Sequence, residues 1–274
     1  MTSGIHHVTA LTRDVQRNVD FYVGFLGLRL VKRTGGYEDA EQLHLFYGDR
    51  MGSPGSLITF LVWQAGASGR TGLGQVAEIA FAVPPPAIGT WVQRSLAAGV
   101  PFTGPVRELG ETVLRLKDPD GIIVKLVGID LPAAAPLPDP AAPTRIRAVT
   151  ILTEDAAKAA GFAARFGYRE QNREGPFLRM VSDSDALDLR QSAGYVPGIP
   201  GTGVFDHVAF RAPDAEAVRR MRLELRDQEG VTHVHDRKFS CRSMCVSRRG
   251  RCSNMPPTGR ALPLTRRRSI LARG

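Results

Sequence analysis

A short apolar strand followed by a helical pattern recurs four times along the chain, with starts near Ile5, Val76, Ile146 and Phe205. Such self-similarity constrains the fold strongly, because a unit that cannot bury its apolar face alone must pack against another copy. In the first unit GIHHVTAL (4–11) reads as a strand, and Val15, Val19, Tyr22 and Phe25 then fall at helical spacing with Gly24 and Gly27 near the stop. Residues 28–34, 42–47 and 56–63 read as three further strands, broken by Gly35-Gly36 and Gly52-Ser53-Pro54-Gly55. The second unit repeats this order: a strand at 76–83, a helix at 88–98, and strands near Val106, at 112–117 and at 122–127. Asp118-Pro119-Asp120-Gly121 supplies a turn, since proline presets one φ and glycine permits a positive one. Residues 131–145 form a Pro/Ala-rich linker (LPAAAPLPDPAAPT and one residue more). Strand–helix starts at 146–153 and 156–166, and again at 205–212 and 215–228, open units three and four. The expected fold is α+β: four βαβββ modules pairing into two half-open barrels, each enclosing a cleft. Residues 4–130 hold modules one and two, and 146–238 hold module three and the start of module four.

The repeat also singles out particular histidines. Strict strand alternation would put one of His6 and His7 on the face of Ile5, Thr9 and Leu11, and the other with Val8 and Ala10. Aligned on the apolar pattern, the position of His7 is held by Glu78 in module two, Ala148 in module three and His207 in module four. Only the outer modules carry imidazole there. A lone strand histidine is ordinary, whereas two at equivalent repeat positions can share one metal ion if their strands meet. In module two Lys125 stands where a carboxylate would be needed to bind a cation, so modules two and three read as structural. Tyr22 and Phe25 read as core.

With 274 residues and 43% hydrophobic content, the chain can bury one large core or two ordinary ones. No apolar run approaches the ~18–20 residues that span a bilayer, and no signal-like segment precedes the first strand. A cytoplasmic enzyme or binding protein without a membrane partner is expected, with a homo-oligomer left open. The net charge of +9 would suggest nucleic acid, but its distribution argues against that partner. Residues 1–238 hold 27 Lys+Arg against 27 Asp+Glu, whereas 239–274 hold nine arginines and no acidic residue. No aromatic residue accompanies Arg266-Arg267-Arg268. Cys241, Cys245 and Cys252 lie in the same tail at a spacing that fits no standard zinc site.

The runs GIHHVTALTRDVQRNVDFYVGFLGLRLVKRT, HLFYGDRMGSPGSLITFLVW, FDHVAFRAPD and HDRK resemble the ring-cleaving dioxygenases of the vicinal oxygen chelate superfamily, across roughly residues 4–238. The most similar group cleaves hydroquinone-type aromatics with ferrous iron. This resemblance implies a metal held by two histidines and one glutamate, with His7 and His207 as the histidines. The cofactor implied is Fe2+, with Mn2+ as the alternative, and the partners are a small aromatic substrate and dioxygen. His6, Thr9 and Arg237 match positions lining the substrate pocket, with His6 and Arg237 in catalytic roles. Two imidazoles and a carboxylate leave open positions on the ion. An arginine could hold a phenolate by a charge-assisted hydrogen bond, and the remaining histidine could carry a proton near neutral pH. A glyoxalase-like lyase or isomerase, or a non-catalytic small-molecule binding protein, would use the same cleft.

The implied glutamate is missing. Counted along the family pattern, its position falls on Asn254, and that of a pocket tyrosine on Met244. Residues 252–261 can be encoded TGT TCG AAT ATG CCA CCG ACG GGC CGG GCT. Read from the last base of the first codon, these triplets give Phe-Glu-Tyr-Ala-Thr-Asp-Gly-Pro-Gly, close to the family's final strand and turn. Residues 239–274 are therefore read as an out-of-frame version of the last strands, and this copy is expected to lack its third metal ligand.

Overall fold

The computed structural model describes residues 4–35, 42–194 and 197–225, and the backbone of 243–246. Module one comprises β1 (Ile5–Thr12), α1 (Val15–Val19), β2 (Arg29–Gly35), β3 (Leu43–Gly48) and β4 (Leu57–Val62). The helix expected through Phe25 widens after α1 into a π-helical turn over Asp20–Phe25, which buries Phe21 and Tyr22. Module two comprises β5 (Val76–Val83), α2 (Ala87–Ala98), β6 (Phe102–Glu108), β7 (Glu111–Lys117) and β8 (Ile123–Gly128). Module three comprises β9 (Arg145–Thr153), α3 (Ala156–Ala164), β10 (Arg169–Glu174), β11 (Phe177–Val181) and β12 (Ala186–Gln191). Module four contributes β13 (Phe205–Arg211), α4 (Ala215–Glu224) and β14 (Ser243–Val246). Asp14, Asp155 and Asp214 cap α1, α3 and α4, their carboxylates accepting from backbone amides three residues on. Helix α2 ends on Gly99 at φ 63°, a left-handed conformation that glycine adopts without steric cost.

The modules pair one with four and two with three. One sheet runs β14-β13-β1-β4-β3-β2 and the other β10-β11-β12-β9-β5-β8-β7-β6. Each is built across an antiparallel pair of module-opening strands, β1 with β13 and β5 with β9. Both pairs carry the same two register slips: Ile5/His7 and Thr9/Ala10 in one, Val76/Glu78 and Ala80/Phe81 in the other. His7 and Glu78 therefore occupy equivalent positions, as do His207 and Ala148. The apolar faces of both sheets meet the helices in one cluster that includes Ile5, Phe60, Phe81, Trp91, Phe166 and Phe210. The Pro/Ala-rich segment is packed against this body: Trp91 Nε1 donates to Ala141 O at 2.8 Å, and Arg94 pairs with Asp139 at 2.6 Å. No helix among the described residues is long and apolar enough to cross a membrane.

Module four departs from the other three. In modules one, two and three the last strand lies parallel beside the first, as β4 on β1, β8 on β5 and β12 on β9. β14 instead pairs antiparallel with β13, from Val208↔Val246 to Arg211↔Ser243. It cannot be the module's closing strand, and no parallel neighbour of β13 occurs among the described residues.

The barrel of modules two and three is plugged by charge. Lys125 Nζ sits 2.8 Å from both Glu78 Oε2 and Glu108 Oε1, and donates to Thr150 Oγ1 at 3.0 Å. Arg115 also pairs with Glu78 and Glu108, while Arg179 bridges Asp188 and Glu111, and Glu111 takes Arg147. Burial alone would raise the Glu78 and Glu108 carboxyls, but Lys125 and Arg115 outweigh it and hold both below the ordinary range. The lysine ammonium thus takes the place of a bound cation. Lys125→Met should leave two buried carboxylates to share the single Arg115 guanidinium and lower stability by about 3–5 kcal/mol in urea denaturation. Arg173→Ala, which breaks an exposed pair with Glu170, should leave the midpoint unchanged. Equal effects of the two substitutions would show that the network is not buried in solution.

Candidate functional site

The site grows out of two bulges. Along the β1–β13 ladder, two steps from Ile5 to His7 match one step from Phe210 to Ala209, and two steps from Phe205 to His207 match one from Ala10 to Thr9. Each is a one-residue insertion, first in β1 and then in β13, so the register recovers. The first bulge corrects the expected alternation. Ile5, Val8 and Ala10 all join the apolar core, while the His6 and His7 rings meet edge to face with their Nδ1 atoms 3.0 Å apart. The second bulge puts Asp206 beside His207, whose Nδ1 lies 2.6 Å from Asp206 Oδ2.

The two imidazoles at equivalent module positions converge. His7 Nε2 and His207 Nε2 are 3.3 Å apart. Metal–imidazole bonds of about 2.0–2.1 Å, at an angle near or slightly above a right angle, would place two such nitrogens roughly 3.0–3.3 Å apart. The pair therefore fits two adjacent positions on one ion, and Asp206 orients His207 from behind as carboxylates commonly do for ligating histidines. The described residues contain no group of three His, Cys, Asp or Glu side chains placed to hold an ion. Asn254 and Arg237 lie outside the described residues, and of Met244 only the backbone is described.

Thr9, expected to face the cleft, lies at its centre, with its hydroxyl 3.0 Å from His207 Nε2 and 2.8 Å from Thr59 Oγ1. Thr59 in turn lies 2.9 Å from His44 Nε2. Sequence reading passed over Thr59 and His44, although both carry a signal. His44 and Phe46 alternate with Leu45 and Tyr47, which are fully buried on the core side, and Thr59 interrupts an apolar strand opposite Thr9. A polar cavity of 450 Å³ opens elsewhere, between Arg13, Gln64, Ser68, Asp120 and Thr202. Arg13 already donates there to Ser68 and Thr202, and no imidazole lines it, so the histidine cluster is the candidate site.

Burial, and secondarily the Arg211 guanidinium, push His6 down to about 4. In the metal-free protein His6 is then neutral at pH 7. A histidine with a depressed folded pKa stabilises the fold fully above its unfolded value of about 6.5, and this is lost as pH falls toward the folded value. The metal-free protein should lose about 3 kcal/mol between pH 6.5 and 4 through this one group. Urea titrations across that range should show a shallower fall in His6→Gln, and an identical fall would remove the assignment.

The family model described as the Glyoxalase/Bleomycin resistance protein/Dioxygenase superfamily matches residues 4–126. The presumed ring-cleaving dioxygenase MhqO of Bacillus subtilis is 34% identical over 249 residues, covering 87% of this chain and 79% of the relative. Chlorohydroquinone/hydroquinone 1,2-dioxygenase of Sphingobium indicum is 27% identical over 251 residues, covering 86% and 78%. The crystal structure of a presumed dioxygenase from Bacillus subtilis superposes with a TM-score of 0.81 at 30% identity, covering 91% of this chain and 83% of that one. With two module pairs, matched bulges and converging strand histidines, the chain belongs to the glyoxalase/bleomycin resistance protein/dioxygenase superfamily, the vicinal oxygen chelate fold.

Proposed function

We propose that the cleft of modules one and four is the active site of an iron(II)-dependent, ring-cleaving dioxygenase for hydroquinone-type aromatics. The observation that carries this reading is the 3.3 Å approach of His7 Nε2 and His207 Nε2 across paired module-opening strands. The names of the relatives support the substrate class. His7 and His207 would hold the ion, with Asp206 fixing the His207 ring. Ferrous iron on such a set supplies redox chemistry between dioxygen and an electron-rich ring, with open positions for both. His6, neutral at pH 7, is placed to accept a proton as a substrate hydroxyl ionises. Thr9 presents a hydroxyl to the bound ring, and Arg237 would hold the phenolate.

In this chain Asn254 stands where the resemblance places the carboxylate, and β14 does not supply the closing strand. Losing even a partner of a metal ligand typically costs about 10–100-fold in affinity or activity, so a lost ligand should cost more. The purified protein should bind Fe2+ weakly and consume oxygen slowly with hydroquinone. A frame-corrected version carrying the glutamate should recover both, and His207→Ala in that version should abolish both. Equal oxygen uptake by the two versions would mean that another group completes the site. Tight binding of hydroquinone by both, with no oxygen uptake by either, would favour a non-catalytic binding protein. That second reading draws on the two-histidine set among the described residues.

A further inference from the structure

The hydroxyl chain behind the imidazole pair has a direction that can be worked out donor by donor. His207 Nδ1 faces the Asp206 carboxylate at 2.6 Å, and a carboxylate only accepts, so the neutral ring carries its proton on Nδ1. Its Nε2 is then a lone pair, which Thr9 approaches at 3.0 Å and His7 Nε2 at 3.3 Å, and we assign the shorter contact to the Thr9 hydroxyl as donor. A hydroxyl has one proton, so at the 2.8 Å contact between Thr9 and Thr59 the donor is Thr59. Thr59 has then spent its own proton, and at 2.9 Å His44 Nε2 must donate to Thr59. The metal-free chain therefore runs one way, from His44 Nε2–H through Thr59 and Thr9 to His207.

Occupancy of the imidazole pair reverses that logic. Once His207 Nε2 gives its lone pair to a cation, Thr9 loses its acceptor. Turning the Thr9 proton onto Thr59 turns the Thr59 proton onto His44 Nε2, which can accept only if its own proton has moved to Nδ1. We propose that His44 is a positioning residue that senses the occupied site, switching tautomer through Thr59 and Thr9 when His207 is ligated. The inference rests on the proposed cation site but names residues outside the ligand set.

The switch has a chemical use. In the reversed chain Thr9 Oγ1 turns a lone pair toward the cleft and accepts from a substrate hydroxyl other than the one that faces His6. As that hydroxyl ionises, its proton passes to Thr9 while the Thr9 proton passes to Thr59 and the Thr59 proton to His44 Nε2. One phenolate and one imidazolium result, and no electrons are transferred. His44 is half-buried on β3, so its proton has a route out of the site. Its ring packs against Phe46 with centroids 4.1 Å apart, which holds it in place over this exchange.

The test is histidine ring 15N NMR on the full chain, titrated with Zn2+ as a diamagnetic probe. Metal-free protein should show His44 protonated at Nε2, and saturation should exchange the protonated and lone-pair signals of its two nitrogens. Thr59→Val should abolish the His44 response while His7 and His207 still shift, and Thr59→Ser should restore it. His207→Leu removes the acceptor without any metal and should by itself place the His44 proton on Nδ1. If Zn2+ shifts His7 and His207 but not His44, the switch is wrong and the metal site stands. If Zn2+ moves none of them, the cation site fails, and His207→Leu alone decides the chain. An unchanged His44 tautomer in that variant overturns the proposal.

Discussion

Everything at the cleft depends on the antiparallel pairing of β1 with β13, two strands some 200 positions apart in sequence. Closing so long a segment is costly in chain entropy, though the cost grows only logarithmically with length. The compensation is apolar: Ile5, Val8 and Ala10 on one strand, and Phe205, Val208 and Phe210 on the other, enter the shared core. Because the core face is fixed, the opposite face is fixed with it, and the imidazoles converge as a by-product of apolar registry. The paired bulges refine this. Each adds one residue to one strand, so the sheet recovers its register while His6, His7 and Asp206 are turned to the site.

The two half-barrels show how one scaffold supports opposite electrostatics. In modules one and four, imidazoles and hydroxyls line the cleft, with His7, His207, Thr9 and Thr59 in mutual contact. In modules two and three, the position equivalent to His7 is Glu78, and the cation is a tethered lysine with four acidic and four basic side chains compensating one another. A buried ion network of this kind adds little net stability over an apolar filling. It does occupy the cleft between modules two and three.

Module four is where the repeat breaks down. Three modules close with a parallel fourth strand, whereas β13 meets a four-residue antiparallel strand instead. A closing strand would lie beside β13 as β4 lies beside β1, and β4 presents Thr59 to the cleft. The antiparallel β14 lies in the stretch after position 238, which carries no acidic residue.

The sequence by itself determined the module order, the pairing class and the identity of the two converging histidines. Apolar periodicity and repeat alignment are local properties, and they survive any choice of register. Val76–Val83 was legible to the residue, and Lys125 could be read as standing where a cation-binding carboxylate would be needed; that its ammonium itself fills the cation's place emerged only from its contacts with Glu78 and Glu108. Tertiary structure alone decided the rest. Alternation predicted opposite faces for His6 and His7, and only the β1–β13 ladder could reveal the inserted residue that unites them. His44 and Thr59 looked like ordinary strand residues because their meaning comes from Thr9 on a third strand. The packing of the Pro/Ala-rich segment was likewise unreadable, since composition reports backbone preference and not the Trp91 indole waiting for a carbonyl. A side chain's facing direction follows from its own strand, but its partner follows from where another strand stops slipping.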